Sequence, residues 1–301
     1  MMRFCPSKKL AVLAATLLLA TSSVAFAQKI TTEPDPTVLD VHAGDTVHAS
    51  KLPDGIYLRE VNDPDDIIWA RIPAYRTLVS AAPPVHASTK LRFEPKEAQY
   101  LYFQLARTSE RFYVRLRWQD PTENRKTDVD AFRDGAAIQL ALNGVDTSYM
   151  MGTGPKKPVN IWYWRADQEQ VEDLAAGGYG STTMLPEQLV TGKGVYHVER
   201  NSSDNEWHVV MSRKLASAGE YQAGLKSGVI PIAFAIWQGA EGQRDGNKRV
   251  SHSWILVNVL PAPPAPQPSP STSQTPSNPE QAKPASPGVQ SKDVPQAGQF
   301  Y

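Results

Sequence analysis

The chain reads as an all-β protein: an antiparallel β-sandwich of the immunoglobulin or jelly-roll kind, with a short helical insertion and a disordered proline-rich C-terminal tail. Three observations predict it. Apolar residues recur with a period of two over many short runs, clusters of Gly, Asn, Asp and Pro separate those runs, and long amphipathic helices are scarce. In chain order, residues 67–72 and 89–93 are the weakest strand candidates. Residues 111–118 are the clearest, with Phe112, Val114 and Leu116 on one face and Arg111, Tyr113, Arg115 and Arg117 on the other. Residues 136–142 and 159–164 follow. In the second run, alternation sets Trp162 and Trp164 on one face and Tyr163 on the other. Residues 167–176 (DQEQVEDLAA) are helix-like and head a glycine-rich excursion to about Gly194. Further strands are expected at 207–211, 230–237 and 253–259, with turns at Asp204-Asn205 and Asp245-Gly246-Asn247. No internal repeat is present.

The two ends differ in kind from this middle. Arg3, Lys8 and Lys9 precede an apolar stretch at 10–20, and Ala25-Phe26-Ala27 supplies a small-x-small cleavage pattern before Gln28. Residues 1–27 therefore read as a signal peptide, because an apolar stretch that short falls well below the ~20 residues a membrane span needs. The only cysteine, Cys5, would leave with it, and the balance of 31 basic and 31 acidic residues would shift to 28 against 31. A cysteine-free, mildly acidic exported chain fits a bacterial periplasm. Residues 261–301 hold eleven of the 25 prolines among Ser, Gln and Ala. Such a composition buries too little to offset its ordering entropy. The folded domain is expected over residues 28–260.

Composition excludes much chemistry. A balanced charge leaves no global field for nucleic acid. A single cysteine excludes a disulfide framework, a thiolate zinc site, an iron–sulfur cluster and covalent c-type haem. There is no nucleophile elbow, phosphate-binding loop, dinucleotide motif or His-Glu-x-x-His. The six histidines are scattered without the spacing of ligands, and Asp63, Asp65 and Asp66 read as a solvated loop or a weak calcium site.

Three segments remain: 130–140, a polar turn feeding a buried strand; Tyr149-Met150-Met151-Gly152 leading into Pro158-Val159-Asn160-Ile161-Trp162-Tyr163-Trp164; and Phe234-Ala235-Ile236-Trp237-Gln238-Gly239, followed by Gly-x-Lys-x-x-Ser-x-x-Trp over 246–254. On residue type alone, the methionine pair is gap-filling core and Lys248 an exposed charge on a hairpin. Trp162, Tyr163 and Trp164 are core or the wall of a slot, and Asn160 satisfies a turn or supports a pocket. Over roughly 54–259, including residues 213–215 after Trp207, the chain resembles the haem b-binding gamma subunits of periplasmic molybdenum enzymes related to dimethylsulfoxide reductase. That group includes ethylbenzene and dimethylsulfide dehydrogenases and chlorate, selenate and some nitrate or nitrite oxidoreductases.

The resemblance implies one non-covalent haem b held between the two sheets by a methionine and a lysine. Met151 maps to the methionine, with Met150 as the alternative. Lys248 maps to the lysine, with Lys226 and Lys214 behind it. It further implies electron relay between an iron–sulfur subunit, itself fed by a molybdenum catalytic subunit, and a soluble cytochrome c, with no substrate site in this chain. The rival expectation is a carbohydrate-binding or structural sandwich without haem, which seven tryptophans and eleven tyrosines permit.

Overall fold

The computed structural model describes residues 37–54, 62–85, 87–91, 97–168, 170–216, 219–226 and 228–260. The expected signal peptide and tail lie outside the described residues. Two sheets face each other. The first contains β1 (Val38–Asp40), and the short β2 (Thr46–His48) belongs to the second. After β3 (Ser50–Lys51), the first sheet continues with β4 (Ala74–Ala81), β5 (Gln99–Arg107) and β6 (Arg111–Gln119). The second is built from β7 (Gly135–Ala141), β8 (Val159–Arg165), β9 (Glu172–Ala176) and β10 (Thr183–Met184). The chain then returns to the first sheet for β11 (Thr191–His197) and β12 (Glu206–Lys214), and closes in the second with β13 (Val229–Trp237), β14 (Arg249–Val250) and β15 (Ile255–Asn258).

The spatial orders are β1-β4-β5-β6-β12-β11 and β10-β9-β8-β7-β13, with β14 and β15 both on the far side of β13. β14 also pairs with β4, placing Arg249 opposite Ala81 and Val250 opposite Ser80, so one short strand joins the two sheets at a corner. Pairing is antiparallel except where β1, β2 and β3 add in parallel to β4, β15 and β5.

Alternation fills the space between the sheets. Phe112, Val114, Leu116 and Trp118 of β6 meet Ala136, Ile138 and Leu140 of β7 and Ile232, Phe234 and Ile236 of β13, all buried. Trp118, Trp164 and Trp207 pack ring against ring at 4.9–6.4 Å between centroids. Each such side chain contributes about 2 kcal/mol by leaving water.

Three local expectations are corrected. Residues 67–72 are not a strand. Ile67–Arg71 is a 3₁₀ turn, begun by Asp66, whose carboxylate accepts from the Ile68 backbone N–H at 2.9 Å. Residues 89–93 are not a strand either: Ala87–Leu91 is a single helical turn, and the remainder lies outside the described residues. Residues 167–176 are not helical. The open edge of β8 recruits Glu172–Ala176 as β9, where pairing along β8 outweighs a weak helical pattern. Beyond the expected strands, β4, β5 and β11 are regular, and β5 alternates with Leu101, Phe103 and Leu105 inward.

Candidate cofactor site

The cavity that gathers the two methionines and Lys248 lies on the outer face of the second sheet, not between the sheets. Outward positions there read, across neighbouring strands, Val250, Ala235, Ala137, Tyr163 and Glu172 in one row, and Ala233, Gln139, Ile161 and Leu174 in the next. Three alanines make a low floor. Gly135 extends it: a Cβ there would sit 3.3 Å from the Tyr163 ring and 3.6 Å from that of Trp237, and without one those rings pack at 5.0 Å. Over this floor stands a cavity of about 740 Å³, within the roughly 300–1,000 Å³ of small-molecule and cofactor sites.

One wall is the loop between β7 and β8. Gln139 reaches from the floor to donate to the Tyr149 carbonyl at 2.8 Å. The Ser148 hydroxyl accepts from the Met150 N–H and its carbonyl from the Gly152 N–H, which curls the loop tightly. Met151 sits at φ 67°, unusual for a residue with a side chain, and Gly152 at φ 92°. A Cβ on Gly152 would lie 2.9 Å from the carbonyl oxygens of both Ala176 and Lys157, so only glycine fits. The Met151 carbonyl accepts from the Gly178 N–H at 2.7 Å, tying the turn to the end of β9. Met150 and Met151 both line the cavity, as does Met184 from β10.

The other elements of the wall come from the corner. Lys248 precedes β14, and its carbonyl accepts from the Ala82 N–H at 2.8 Å. Arg249 beside it is buried and anchored to the Glu97 carbonyl, the Gln238 side chain and Glu241, which fixes the backbone carrying the lysine. The Lys248 amine stands 4.7 Å from the Trp237 ring centre. Burial pushes it from 10.5 down to about 8, and the charge of Asp245 only partly opposes that. Among the described residues no carboxylate comes within ion-pair distance of it. His252 also lines the cavity, its Nε2 2.8 Å from the Ser80 hydroxyl.

The lining is cationic in places. Arg133 pairs with Asp167 at 3.3 Å and Arg165 with Glu172 at 2.8 Å, whereas Arg244 lies over the Phe132 ring and makes no ion pair among the described residues.

The structure thus brings Met150, Met151 and Lys248 to one cavity and separates the other predicted residues from it. Trp162 and Asn160 point the opposite way, into the core, because they occupy the inward phase of β8. The Trp162 indole donates to the Asn160 side chain at 3.2 Å, and Asn160 donates to Asp173 at 2.6 Å. Arg213, fully buried, lies over Trp162 and donates to the Asn160 side-chain oxygen at 3.4 Å. Burial raises Asp173 and lowers Arg213, and each partly compensates the other. These residues form a polar knot in the core. Lys226 is exposed and away from the cavity, where its carbonyl accepts from Arg107, and Lys214 ends β12 in the first sheet. Of the three aromatics of β8 left open as core or wall, Tyr163 lines the cavity. Sequence reasoning missed Met184, His252 and Trp237 as lining residues, and Trp237 was within reach, since it sits on the outward phase of an expected strand.

No protein-family model matches the chain. Over 218 residues it is 55% identical to the dimethylsulfide dehydrogenase subunit gamma of Rhodovulum sulfidophilum, a match covering 72% of this chain and 82% of that one. It is 35% identical over 205 residues to a Haloferax mediterranei protein named for the respiratory nitrate reductase haem subunit, ORF7, covering 66% and 69%. It is 36% identical over 194 residues to the chlorate reductase subunit gamma of Ideonella dechloratans, covering 64% and 77%. Among solved structures, a family 9 carbohydrate-binding module of Caldicellulosiruptor kristjanssonii in complex with glucose superposes with a TM-score of 0.39 at 12% identity. That match covers 74% of this chain and 100% of the module, too loosely to bear on ligand or function.

Proposed function

The chain belongs to the family of oxidoreductase gamma subunits that includes those of dimethylsulfide dehydrogenase and chlorate reductase, and from that premise we propose that it is an electron-transfer subunit carrying haem in the groove on the outer face of the second sheet. One observation carries the reading. A cavity of suitable size collects thioether sulfurs and an amine that burial has already brought close to losing its proton.

The residues present fit a flat, anionic macrocycle. Ala137, Ala233 and Ala235 leave room above the sheet, and Tyr163 and Trp237 offer aromatic packing. Arg244, which makes no ion pair among the described residues, can neutralise a carboxylate side chain at the lining. Met151 and Lys248 are the donors that would hold the iron, with Met150 as the alternative sulfur. Bound there, haem b, one per chain and non-covalent in a chain with a single cysteine, supplies a one-electron couple. A thioether donor is soft and neutral and favours the reduced state. Lys248 can donate only as a free amine, and its shift to about 8 lowers the cost of deprotonation near neutral pH. Were Met151 and Lys248 both to hold the iron, no position would be left for a substrate, and the chain's task would be relay.

The wider reading is of an exported, periplasmic subunit. It passes electrons between an iron–sulfur subunit of a molybdenum enzyme and a soluble cytochrome c.

The test is optical. The purified chain should show a Soret band, sharp α and β bands on dithionite reduction, and a pyridine haemochrome of b type. Met151→Ala and Lys248→Ala should each disturb the low-spin spectrum, and Lys226→Ala should leave it unchanged. A colourless chain that takes up no haem on reconstitution would overturn the proposal, and an undisturbed Lys248→Ala spectrum would discard that ligand.

A further inference from the structure

On the outer face of the first sheet, far from the groove in the fold, lies a cluster that the proposed relay does not use. The hairpin of β11 and β12 sets Val195 opposite His208 and His197 opposite Glu206, so the two histidines are diagonal neighbours on one face, their rings 4.0 Å apart. The segment that covers this sheet brings Asp65 onto them. The Asp65 carboxylate approaches His197 Nε2 at 3.1 Å with both oxygens and His208 Nδ1 at 2.8 Å with one. One donor atom from each of the three residues falls within 4.8 Å of the others. We propose that Asp65, His197 and His208 form a binding site for a first-row divalent cation of the zinc class.

The hydrogen bonds around His208 argue for it. Glu206 faces its Nε2 at 3.0 Å and accepts that proton. Asp65 stands 2.8 Å from Nδ1, a hydrogen-bond distance, and Arg115 lies 3.1 Å from the same nitrogen. With Nε2 held by Glu206, the ring turns Nδ1 towards Asp65 and His197, and a cation would take the place of the proton that Nδ1 and Asp65 share. A carboxylate behind the distal nitrogen of a ligating histidine is also the usual way a metal site fixes its imidazole.

Two imidazoles and one carboxylate suit zinc and its neighbours, not calcium or magnesium, and water would complete four-coordination. The remaining acids of the segment are engaged locally: Asp63 accepts from the Asp65 N–H at 3.0 Å and Asp66 from that of Ile68. Arg115 does not depend on His208 for its place, since it also donates to the Pro64 carbonyl and to Gln104, each at 2.7 Å. A bound ion would clip the covering segment to β11, the edge strand of its sheet.

Equilibrium dialysis of the full chain, stripped with chelator and offered zinc alone, tests this by metal content, independently of haem. One ion per chain is expected. His197→Ala and His208→Ala should each abolish stoichiometric uptake, Glu206→Gln should weaken it by roughly 10–100-fold, and His252→Ala should leave it unchanged. Should either His variant fold poorly, His197→Gln, on a partly exposed edge strand, provides the same test. Absent uptake by the unmodified chain, or undiminished uptake by the His197 and His208 variants, would overturn the site.

Discussion

The outward faces of the two sheets obey the same alternation and end in opposite states. On the first sheet the outward residues include long polar side chains that reach the covering segment. Gln104 donates to the carbonyls of Trp69 and Ile72 at 2.7 and 2.8 Å, and Arg115 locks onto Gln104 and Pro64. With Leu52, Trp69, Ile72, Tyr113 and Val210 packed together there, the face is closed by its own chain. On the second sheet three alanines and Gly135 lower the floor between larger outward residues such as Ile161, Tyr163 and Leu174, and the covering loop leaves a cavity in place of a seal. Side-chain length, not strand pattern, decides whether a sheet face becomes a wall or a receptacle.

The largest effect should come from erasing that difference. Ala137→Phe and Ala235→Phe fill the groove from its floor and should reduce haem retention at least a hundredfold. Melting temperature should change little, because the substituted side chains enter space that is already empty. Haem-to-protein ratio after gel filtration checks it, and full retention would move the site elsewhere.

Acidity should produce the next effect. The haem-free chain holds the Lys248 proton below about pH 8, so haem affinity should fall tenfold for each pH unit below that value and level off above it. In Lys248→Met the slope should vanish. Titration of the haem-free chain between pH 6 and 9 reads this directly. The stability of the haem-free chain has the matching sign. Because the folded amine sits lower than its unfolded value of 10.5, folding is disfavoured by its charge below pH 8, and this penalty disappears as pH rises from 8 towards 10.5.

Smaller changes separate the two faces. Gly152→Ala places a methyl against two carbonyl oxygens at φ 92°. It should cost about 2 kcal/mol and loosen Met151 as well, visible as both a lower melting temperature and an altered spectrum. Gln104→Met on the first face leaves the Trp69 and Ile72 carbonyls unanswered and should cost about 1 kcal/mol. The spectrum should not move. A spectral change in Gln104→Met would show that the two faces are linked.

Much of this was legible beforehand. The runs at 111–118, 136–142, 159–164 and 230–237 became β6, β7, β8 and β13 almost unchanged, because their alternation matches a pleated, half-buried surface. Alternation also separated Trp162 from Tyr163 correctly. It could not say which phase faced the core, so Trp162 and Asn160 were expected at the cofactor and lie in the polar knot with Arg213 instead. Met151 and Lys248 share a cavity across nearly a hundred residues of chain, a relation that only motif likeness signalled. The partnership of His197 and His208 is invisible in spacing, since it depends on the register of a hairpin whose first strand, Thr191–His197, was not expected.

That the cavity opens outward bears on biogenesis. A pocket sealed between two layers would have to be occupied while the layers assemble. Here the core of tryptophans and phenylalanines can close first, and a prosthetic group can dock afterwards by passing only the methionine loop and the lysine corner. Loading of the finished fold would then need no dedicated opening of the sandwich.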